Sequence, residues 1–155
     1  MNIGIIIHSK TGHTHSAAEK LQEKLLKAGH SVSIEKLSPV GDAYPGIKNL
    51  QLQNHPKIDE FEGLVFAAPV WAFTVSPVMA AYLEQLISLR GKKAACFVMM
   101  GFPFAWMGGN QAIAKIKKMV GAKWGTILET AIIGRSGNDE KAVEKMVETL
   151  SKAFI

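Results

Sequence analysis

Ile5-Ile6-Ile7-His8-Ser9-Lys10-Thr11-Gly12-His13-Thr14 is the stretch that decides the fold, because an apolar strand runs here into a turn rich in hydroxyl groups. The run from Ile3 to Ile7 is apolar on both faces apart from Gly4. Such a run is typical of a central strand in a parallel sheet covered by helices on both sides. A segment with helical periodicity follows from Glu19 to Ala28. The pattern predicts a strand, a turn and a helix, with the turn at the start of the helix.

The turn has the composition of a phosphate-binding loop. Ser9, Thr11 and Thr14 supply short hydroxyl donors, and Gly12 can adopt backbone angles that other residues resist. Free amides and the positive end of a helix dipole add to these donors. Ser and Thr also cap helices well, so a purely structural role for the hydroxyls stays open. The residue order excludes the ATP-type loop, where a lysine follows the second glycine, and the three-glycine dinucleotide fingerprint.

Strands and helices alternate along the rest of the chain. The predicted strands span residues 31–37 at an edge, 62–69, 94–100 and 126–133, with a loop at 69–75. The predicted helices end at Gly29, at Gly91 and at Gly121, and Ser136 or Asn138 caps a last helix. Segment 38–56 contains three prolines and two glycines, which predicts an irregular connection. Together these features predict a single α/β domain over 1–155, a doubly wound five-stranded parallel sheet.

The motif Ser9-Lys10-Thr11-Gly12-His13-Thr14 resembles the Ser/Thr-x-Thr-Gly-x-Thr phosphate loop of the flavodoxin-like FMN proteins. In that family the loop holds the monophosphate of the flavin without a metal, and the resemblance covers essentially the full chain. It implies a flavodoxin-like fold with strand order 2-1-3-4-5 and FMN as the cofactor. Gly108-Gly109-Asn110-Gln111 weakly resembles a loop of the NAD(P)H:quinone reductase branch.

In an open parallel sheet the ligand lies beyond the carboxyl ends of the strands, at the switch point. For this strand order, the loops after the first, third and fourth strands meet there, and all three carry phosphate-binding or aromatic residues. We expect Trp71 to stack on the flavin ring, although each ring could instead pack on the core or form a dimer contact. The predicted cofactor-binding residues are Ser9, Lys10, Thr11, Gly12, His13, Thr14, Pro69, Val70, Trp71, Ala72, Phe73, Gly101, Phe102, Phe104, Trp106, Gly108 and Gly109.

One departure from the family pattern lies between Trp71 and Val75, where no glycine occurs. Members of the family often have a glycine next to the flavin N5, where a peptide turns toward the ring. Ala72 can adopt the same backbone only with some strain, so the stability of a half-reduced flavin is in doubt.

Composition and charge narrow the class of protein to which the chain can belong. The chain has 155 residues, of which 48% are hydrophobic, and no apolar run is long enough to span a bilayer. The sequence enters a strand at once without a signal-peptide pattern, which predicts a cytoplasmic protein. The single cysteine, Cys96, lies in an apolar run and is predicted to be buried. The net charge of +5 comes from scattered lysines, which indicates solvated helix faces and no nucleic-acid site.

No catalytic residue and no metal site are predicted. His8, His13 and His15 do not have a recognised ligand spacing, and no cysteine lies near them. A receiver domain would need acidic residues after the first strand, and a low-molecular-weight phosphatase would need a cysteine in the first loop. Neither is present.

The sequence therefore favours an FMN-binding electron-transfer protein, in which the cofactor performs the redox chemistry. The alternative is an enzyme, an NAD(P)H-dependent FMN quinone reductase, which the Gly108-Gly109 loop and the basic charge favour somewhat. The expected partner is a redox protein or a small acceptor such as a quinone, and a homo-oligomer is possible because the crevice aromatics could also form a subunit interface.

Overall fold

Five parallel strands form the centre of the structure. The computed structural model describes residues 1–135 and 139–155. The strands are β1 (Asn2–Ile7), β2 (Ser31–Lys36), β3 (Gly63–Trp71), β4 (Thr74–Val75), β5 (Lys93–Met100) and β6 (Ile127–Gly134). All pair in parallel except the short β4, which is antiparallel to β3, and the order is β2-β1-β3-β5-β6. The predicted doubly wound order of five parallel strands is confirmed, and β4 is an addition that the sequence did not predict.

Helices cover both faces of the sheet. They are α1 (His13–Lys27), α2 (Pro77–Gln85), α3 (Gly109–Gly121) and α4 (Asp139–Ser151), with a short 3-10 turn at Lys152–Phe154. The core has two parts, one between the sheet and α1 with α4, the other between the sheet and α2 with α3. Residues on alternate positions of β1 enter opposite parts: Ile5 faces α1, and Ile6 faces the other layer. This two-sided burial is why the sequence of β1 is continuously apolar.

Cys96 lies in the middle of β5 and is fully buried, as predicted. Burial raises the pKa of its thiol to about 12, because a thiolate would lose its hydration inside the sheet. The thiol is therefore neutral at physiological pH and acts as a small apolar core residue.

The connection between β2 and β3 contains no helix or named strand, as predicted for segment 38–56. Leu37, Leu52 and Phe61 are buried against the α2 and α3 side of the sheet. The side chain of Asn54 accepts a hydrogen bond from Ser38 N–H and donates one to the carbonyl of Lys36, which fixes the end of β2. This segment covers the sheet where a helix would otherwise lie.

The first helix begins earlier than the periodic residues alone indicate. Gly12, with φ at 92°, precedes a helix that starts at His13, so Thr14 and Ser16 lie in its first turn. The predicted end is confirmed, because Gly29 follows the helix in the left-handed region. The proposed capping of the last helix by Ser136 or Asn138 lies outside the described residues.

The predicted loop at 69–75 is wrong except at residues 72 and 73, because β3 continues to Trp71 and the chain turns back through β4. Pro69 is tolerated in this strand because β1 ends two residues earlier, opposite Ala67. The carbonyl of Pro69 accepts from Ser76 N–H on the side that β1 leaves open. A proline nitrogen on that side loses no sheet hydrogen bond.

The second helix starts as predicted, with the Ser76 hydroxyl accepting from Met79 N–H, but it ends at Gln85 and not at Gly91. A tertiary contact explains the early end. Leu89 donates its N–H to the carbonyl of Lys123, at 2.7 Å, and the Lys123 ammonium group donates to the carbonyl of Glu84. The carbonyl of Glu84, in the last turn of the helix, is thus satisfied from outside, which local propensity does not reveal.

Among the helices of the described ranges, none is long and apolar enough to cross a membrane.

The centre of the sheet tolerates no added volume beside Phe61. A Cβ on Gly4 would lie 2.5 Å from the Phe61 ring, so Gly4→Ala should lower the free energy of unfolding by about 1–3 kcal/mol. Urea denaturation measures this change. Gly121→Ala is the matched control, because its added Cβ meets no side chain and no atom from another element within 4 Å. Equal stability of Gly4→Ala and the wild type would contradict the packing of β1 against Phe61.

Candidate functional site

The loop between β1 and α1 presents free amide groups at the carboxyl edge of the sheet. Within the described part of the chain, the N–H groups of Thr11, His13 and Thr14 have no hydrogen-bond acceptor. Ser9 is buried, and its hydroxyl oxygen accepts from the N–H groups of Gly12 and His15, both at 3.2 Å. Ser9 therefore holds the loop in a shape that leaves the other amides open to an anion.

Cationic side chains surround this loop. Arg135 follows β6, and its Nη2 lies 3.3 Å from Nδ1 of His13. The Lys10 ammonium group lies 5.8 Å from the centre of the Trp71 ring. Both cations are exposed and can move toward a bound anion. The positive charge of the site thus comes from two neighbouring loops, after β1 and after β6.

A cleft of about 1270 Å³ opens beside the loop, above the ends of β3, β5 and β6 and alongside α1 and α4. Ligand pockets are commonly about 300–1,000 Å³, so a ligand of nucleotide size fits. The predicted residues that line the cleft are Lys10, Thr11, His13, Thr14, Pro69, Val70, Trp71 and Gly101.

Trp71 is held in place from the strand side. Its ring lies 5.1 Å from the His8 ring, centre to centre, at an angle of 80°. Nδ1 of His8 in turn lies 2.9 Å from the Ser76 hydroxyl, in a buried hydrogen bond between the end of β1 and the start of α2. Trp71 therefore packs against His8 and also borders the cleft.

Burial lowers the pKa of His8 to about 4, and the positive charges of Lys10 and Lys36 add to the effect. The imidazole is therefore neutral at physiological pH. One of its ring nitrogens is then a donor and the other an acceptor, which suits the bond to Ser76 in either direction. A neutral His8 adds no charge to the site and acts as a positioning residue for Trp71.

The other predicted rings form a separate, exposed group beside the cleft. Phe73 and Phe102 are parallel with centres 6.2 Å apart, and Phe104 and Trp106 are parallel with centres 6.1 Å apart. All four rings are at least half exposed. None of them lines the cleft that Trp71 borders. The two pairs are apolar, planar surfaces at the same edge as the β1–α1 loop.

Close packing explains why glycine occupies positions 108 and 109. A Cβ on Gly108 would lie 2.7 Å from the Cα of Phe73 and from Cγ1 of Val70, and its φ is 116°. A Cβ on Gly109 would lie 2.7 Å from Ile132. Both glycines are buried. The two glycines behind the resemblance to quinone reductases thus have a structural explanation: Gly108 lies against the β3–β4 hairpin and Gly109 against β6.

The hairpin tip is the strained part of the site. Ala72 and Phe73 have φ of 50° and 65°, the backbone of a type I′ turn, which favours Asn-Gly. Ala72 therefore adopts the left-handed backbone that the sequence analysis considered for it. Such residues each store about 1–3 kcal/mol of strain, which occurs most often at binding sites.

Arg135 and the pair His8–Ser76 are site residues that the sequence reasoning missed. Arg135 directly follows a strand at the carboxyl edge, which is a signal that could have been used. The link between His8 and Ser76 spans 68 positions and leaves no local pattern. In residues 1–135 and 139–155, no three His, Cys, Asp or Glu side chains are grouped to hold a metal ion.

The sheet order and the loop define an open, doubly wound α/β protein with a loop of free amides at its switch point. Comparison with solved structures shows that the fold is flavodoxin-like. The chain is similar to oxidised flavodoxin 2 from Bacillus cereus, with a TM-score of 0.74, 18% identity, and coverage of 99% of this chain and 97% of that chain.

Two further flavodoxin structures have a similar fold. For the Streptococcus pneumoniae TIGR4 flavodoxin the TM-score is 0.70 at 15% identity, covering 98% of this chain and 99% of that chain. For the Fusobacterium nucleatum flavodoxin bound to flavin mononucleotide the TM-score is 0.64 at 16% identity, covering 97% of each chain. No family model and no curated protein matches the chain by sequence.

The neutral His8 makes stability depend on pH. The unfolded chain takes up the proton near pH 6.5, whereas the folded chain takes it up only near pH 4. The free energy of unfolding is therefore highest above pH 6.5. It falls by up to about 3 kcal/mol as the pH is lowered from 6.5 to 4. Urea denaturation at pH 7 and pH 4.5 measures the loss.

His8→Asn, which keeps a polar group near Ser76 but does not titrate, should remove much of this pH dependence. His55→Gln, at an exposed position of the β2–β3 connection, is the control and should keep it. An equal pH dependence in His8→Asn and the wild type would rule out His8 as the source.

Proposed function

We propose that the chain binds FMN at the carboxyl edge of the sheet and transfers electrons through the bound flavin. The observation that carries the proposal is the β1–α1 loop, whose amides at Thr11, His13 and Thr14 have no acceptor among the described residues. The flavodoxin-like fold supports it, because one similar structure is a flavodoxin bound to flavin mononucleotide. We also propose a cytoplasmic location, with which the single reduced cysteine is compatible.

The phosphate is assigned to the β1–α1 loop. The three free amides and the hydroxyl of Thr11 can donate hydrogen bonds to its oxygens, and the helix dipole of α1 adds a favourable field. Lys10 and Arg135 are close enough to the loop to add charge-assisted bonds. Ser9 contributes by holding the loop open through Gly12 and His15.

The flavin ring is assigned to the aromatic side chains beside this loop. Trp71 offers a ring that His8 fixes, and Lys10, which lies over it, is on a flexible side chain that can move aside. Phe73 and Phe102 offer a second planar surface at the hairpin tip. When bound, FMN supplies the redox chemistry, and the side chains of this chain orient it and exclude water.

The phosphate group should determine which flavin the site binds more tightly. FMN should bind at least about 100-fold more tightly than riboflavin, because two charge-assisted hydrogen bonds are worth about 1.5–3 kcal/mol each. Thr11→Val should weaken FMN binding about tenfold and leave riboflavin binding unchanged, since it removes one phosphate donor. Titration of the flavin-free protein, followed by flavin fluorescence, measures both affinities.

Thr126→Val, an exposed threonine at the opposite edge of the sheet, is the matched control and should bind both ligands as the wild type does. Trp71→Ala provides the contrast, because loss of a ring contact should weaken FMN and riboflavin alike, about tenfold. Equal affinity of the wild type for FMN and riboflavin would contradict the assignment of the phosphate. No binding of either ligand would refute the proposed function.

A carrier and a reductase differ in turnover with NAD(P)H. The FMN-loaded chain should oxidise NADH or NADPH only slowly with a quinone as acceptor, while it exchanges electrons readily with a reduced redox protein. Steady-state absorbance at the nicotinamide band measures the first rate. Rapid, saturable turnover with NADH or NADPH would replace the carrier with the NAD(P)H-dependent quinone reductase.

A further inference from the structure

The basic residues are spread along the chain, but one β-strand and helix unit carries seven of them without an acidic residue to balance their charge. Residues 90–128 contain seven Lys and Arg residues and no Asp or Glu, whereas the rest of the chain has eleven basic and thirteen acidic residues. The net charge of +5 is thus the sum of a strongly basic unit and a slightly acidic remainder. The seven basic residues are Arg90, Lys92, Lys93, Lys115, Lys117, Lys118 and Lys123.

Two exposed apolar side chains accompany this charge at the amino edge of the sheet, where β5 and β6 begin. Trp124 is 62% exposed, and the guanidinium carbon of Arg90 lies 5.4 Å from the centre of its ring. Ile87, in the turn that also contains Arg90, is 88% exposed. The bond from Leu89 N–H to the Lys123 carbonyl joins this turn to the one that contains Trp124. Lys115 and Lys118 are exposed on the last two turns of α3, which ends at Gly121 just before Trp124. We call Ile87, Arg90, Lys115, Lys118 and Trp124 the basic edge.

The stability of the chain does not explain Trp124. Its φ is 62°, a left-handed conformation just after α3, where glycine is the favoured residue. The turn is closed by backbone bonds, from Trp124 N–H to the carbonyl of Gly121 and from Gly125 N–H to that of Val120, which need no side chain. The chain thus accepts strain and exposes most of a large ring, as is typical of a residue that contacts something outside the fold.

We propose that the basic edge binds the surface of a membrane that contains anionic lipids. An exposed isoleucine and an indole can enter the headgroup region, where tryptophan is enriched, while Arg90 and Lys118 reach lipid phosphates. Protein interfaces are enriched in Trp and Arg but depleted in Lys, and nucleic acids offer little to an aliphatic side chain. The lysines and the exposed isoleucine together therefore favour a lipid surface.

The position of the basic edge gives the bound protein a defined orientation. It lies at the end of the sheet opposite the β1–α1 loop and the cleft, so the candidate site would face the aqueous phase. A redox partner in the aqueous phase could then reach the site while the protein stays bound to the membrane. The proposal does not depend on whether the site binds FMN.

Flotation with lipid vesicles tests the proposal on the full chain. The protein should float with vesicles of 70% phosphatidylcholine and 30% phosphatidylglycerol and not with pure phosphatidylcholine. The double variant Lys115→Ala, Lys118→Ala should bind about 30-fold more weakly, because each basic residue near an anionic surface is worth about a factor of five. Trp124→Gly should weaken binding several-fold without lowering the melting temperature, since glycine relieves the left-handed strain.

Matched controls separate a specific surface from general attraction of a basic protein. Lys24→Ala, Lys27→Ala removes the same number of exposed charges from α1, on the other face of the sheet, and should bind as the wild type does. Trp106→Ala removes an exposed indole from the opposite edge and should also leave vesicle binding unchanged.

Three outcomes would overturn the proposal. One is no flotation with the anionic vesicles, and another is an equal loss of binding in the two lysine double variants. The third is binding to poly(U) RNA or poly-aspartate that Lys115→Ala, Lys118→Ala abolishes, in the absence of vesicle binding. That result would assign the basic edge to a nucleic acid or an acidic protein.

Discussion

The close approach of Gly108 to the β3–β4 hairpin fixes the geometry of the whole carboxyl edge. The missing Cβ of Gly108 lets the start of α3 contact the backbone of Phe73 and the side chain of Val70. Any other residue would force the hairpin and the β5–α3 loop apart, and its side chain would disfavour the φ of 116°. Because both segments carry the site's aromatic rings, one absent carbon atom determines how far apart those rings are.

The buried bond between His8 and Ser76 provides a second connection across the same edge. It ties the end of β1 to the start of α2, while His8 also contacts Trp71. The shape of the loop after β1, the ring beside it and the hairpin are therefore coupled through neutral groups. Coupling of this kind places side chains without adding charge to the region where an anion would bind.

The parallel sheet and its two-sided core could be predicted from the apolar runs of the sequence. The strand order could be predicted from the resemblance of the turn after Ile7 to the flavodoxin-like phosphate loop. The features that could not be predicted depend on contacts between distant parts of the chain. The early end of α2 requires Lys123, and the extension of β3 through Pro69 requires that β1 end opposite Ala67. The proximity of Arg135 to His13 likewise depends on the fold, which brings the segments after β1 and β6 together at the carboxyl edge.

The uneven distribution of charge affects how the protein is oriented before it touches a charged surface. A molecule with its positive charge in the β5–α3 unit and a slight negative charge elsewhere has a large electric dipole moment. Within a Debye length of a negatively charged body, about 8 Å at physiological ionic strength, the field exerts a torque on that dipole. The protein would therefore rotate to one preferred orientation during approach. A larger fraction of its collisions would be productive than for a molecule with the same net charge spread evenly over its surface.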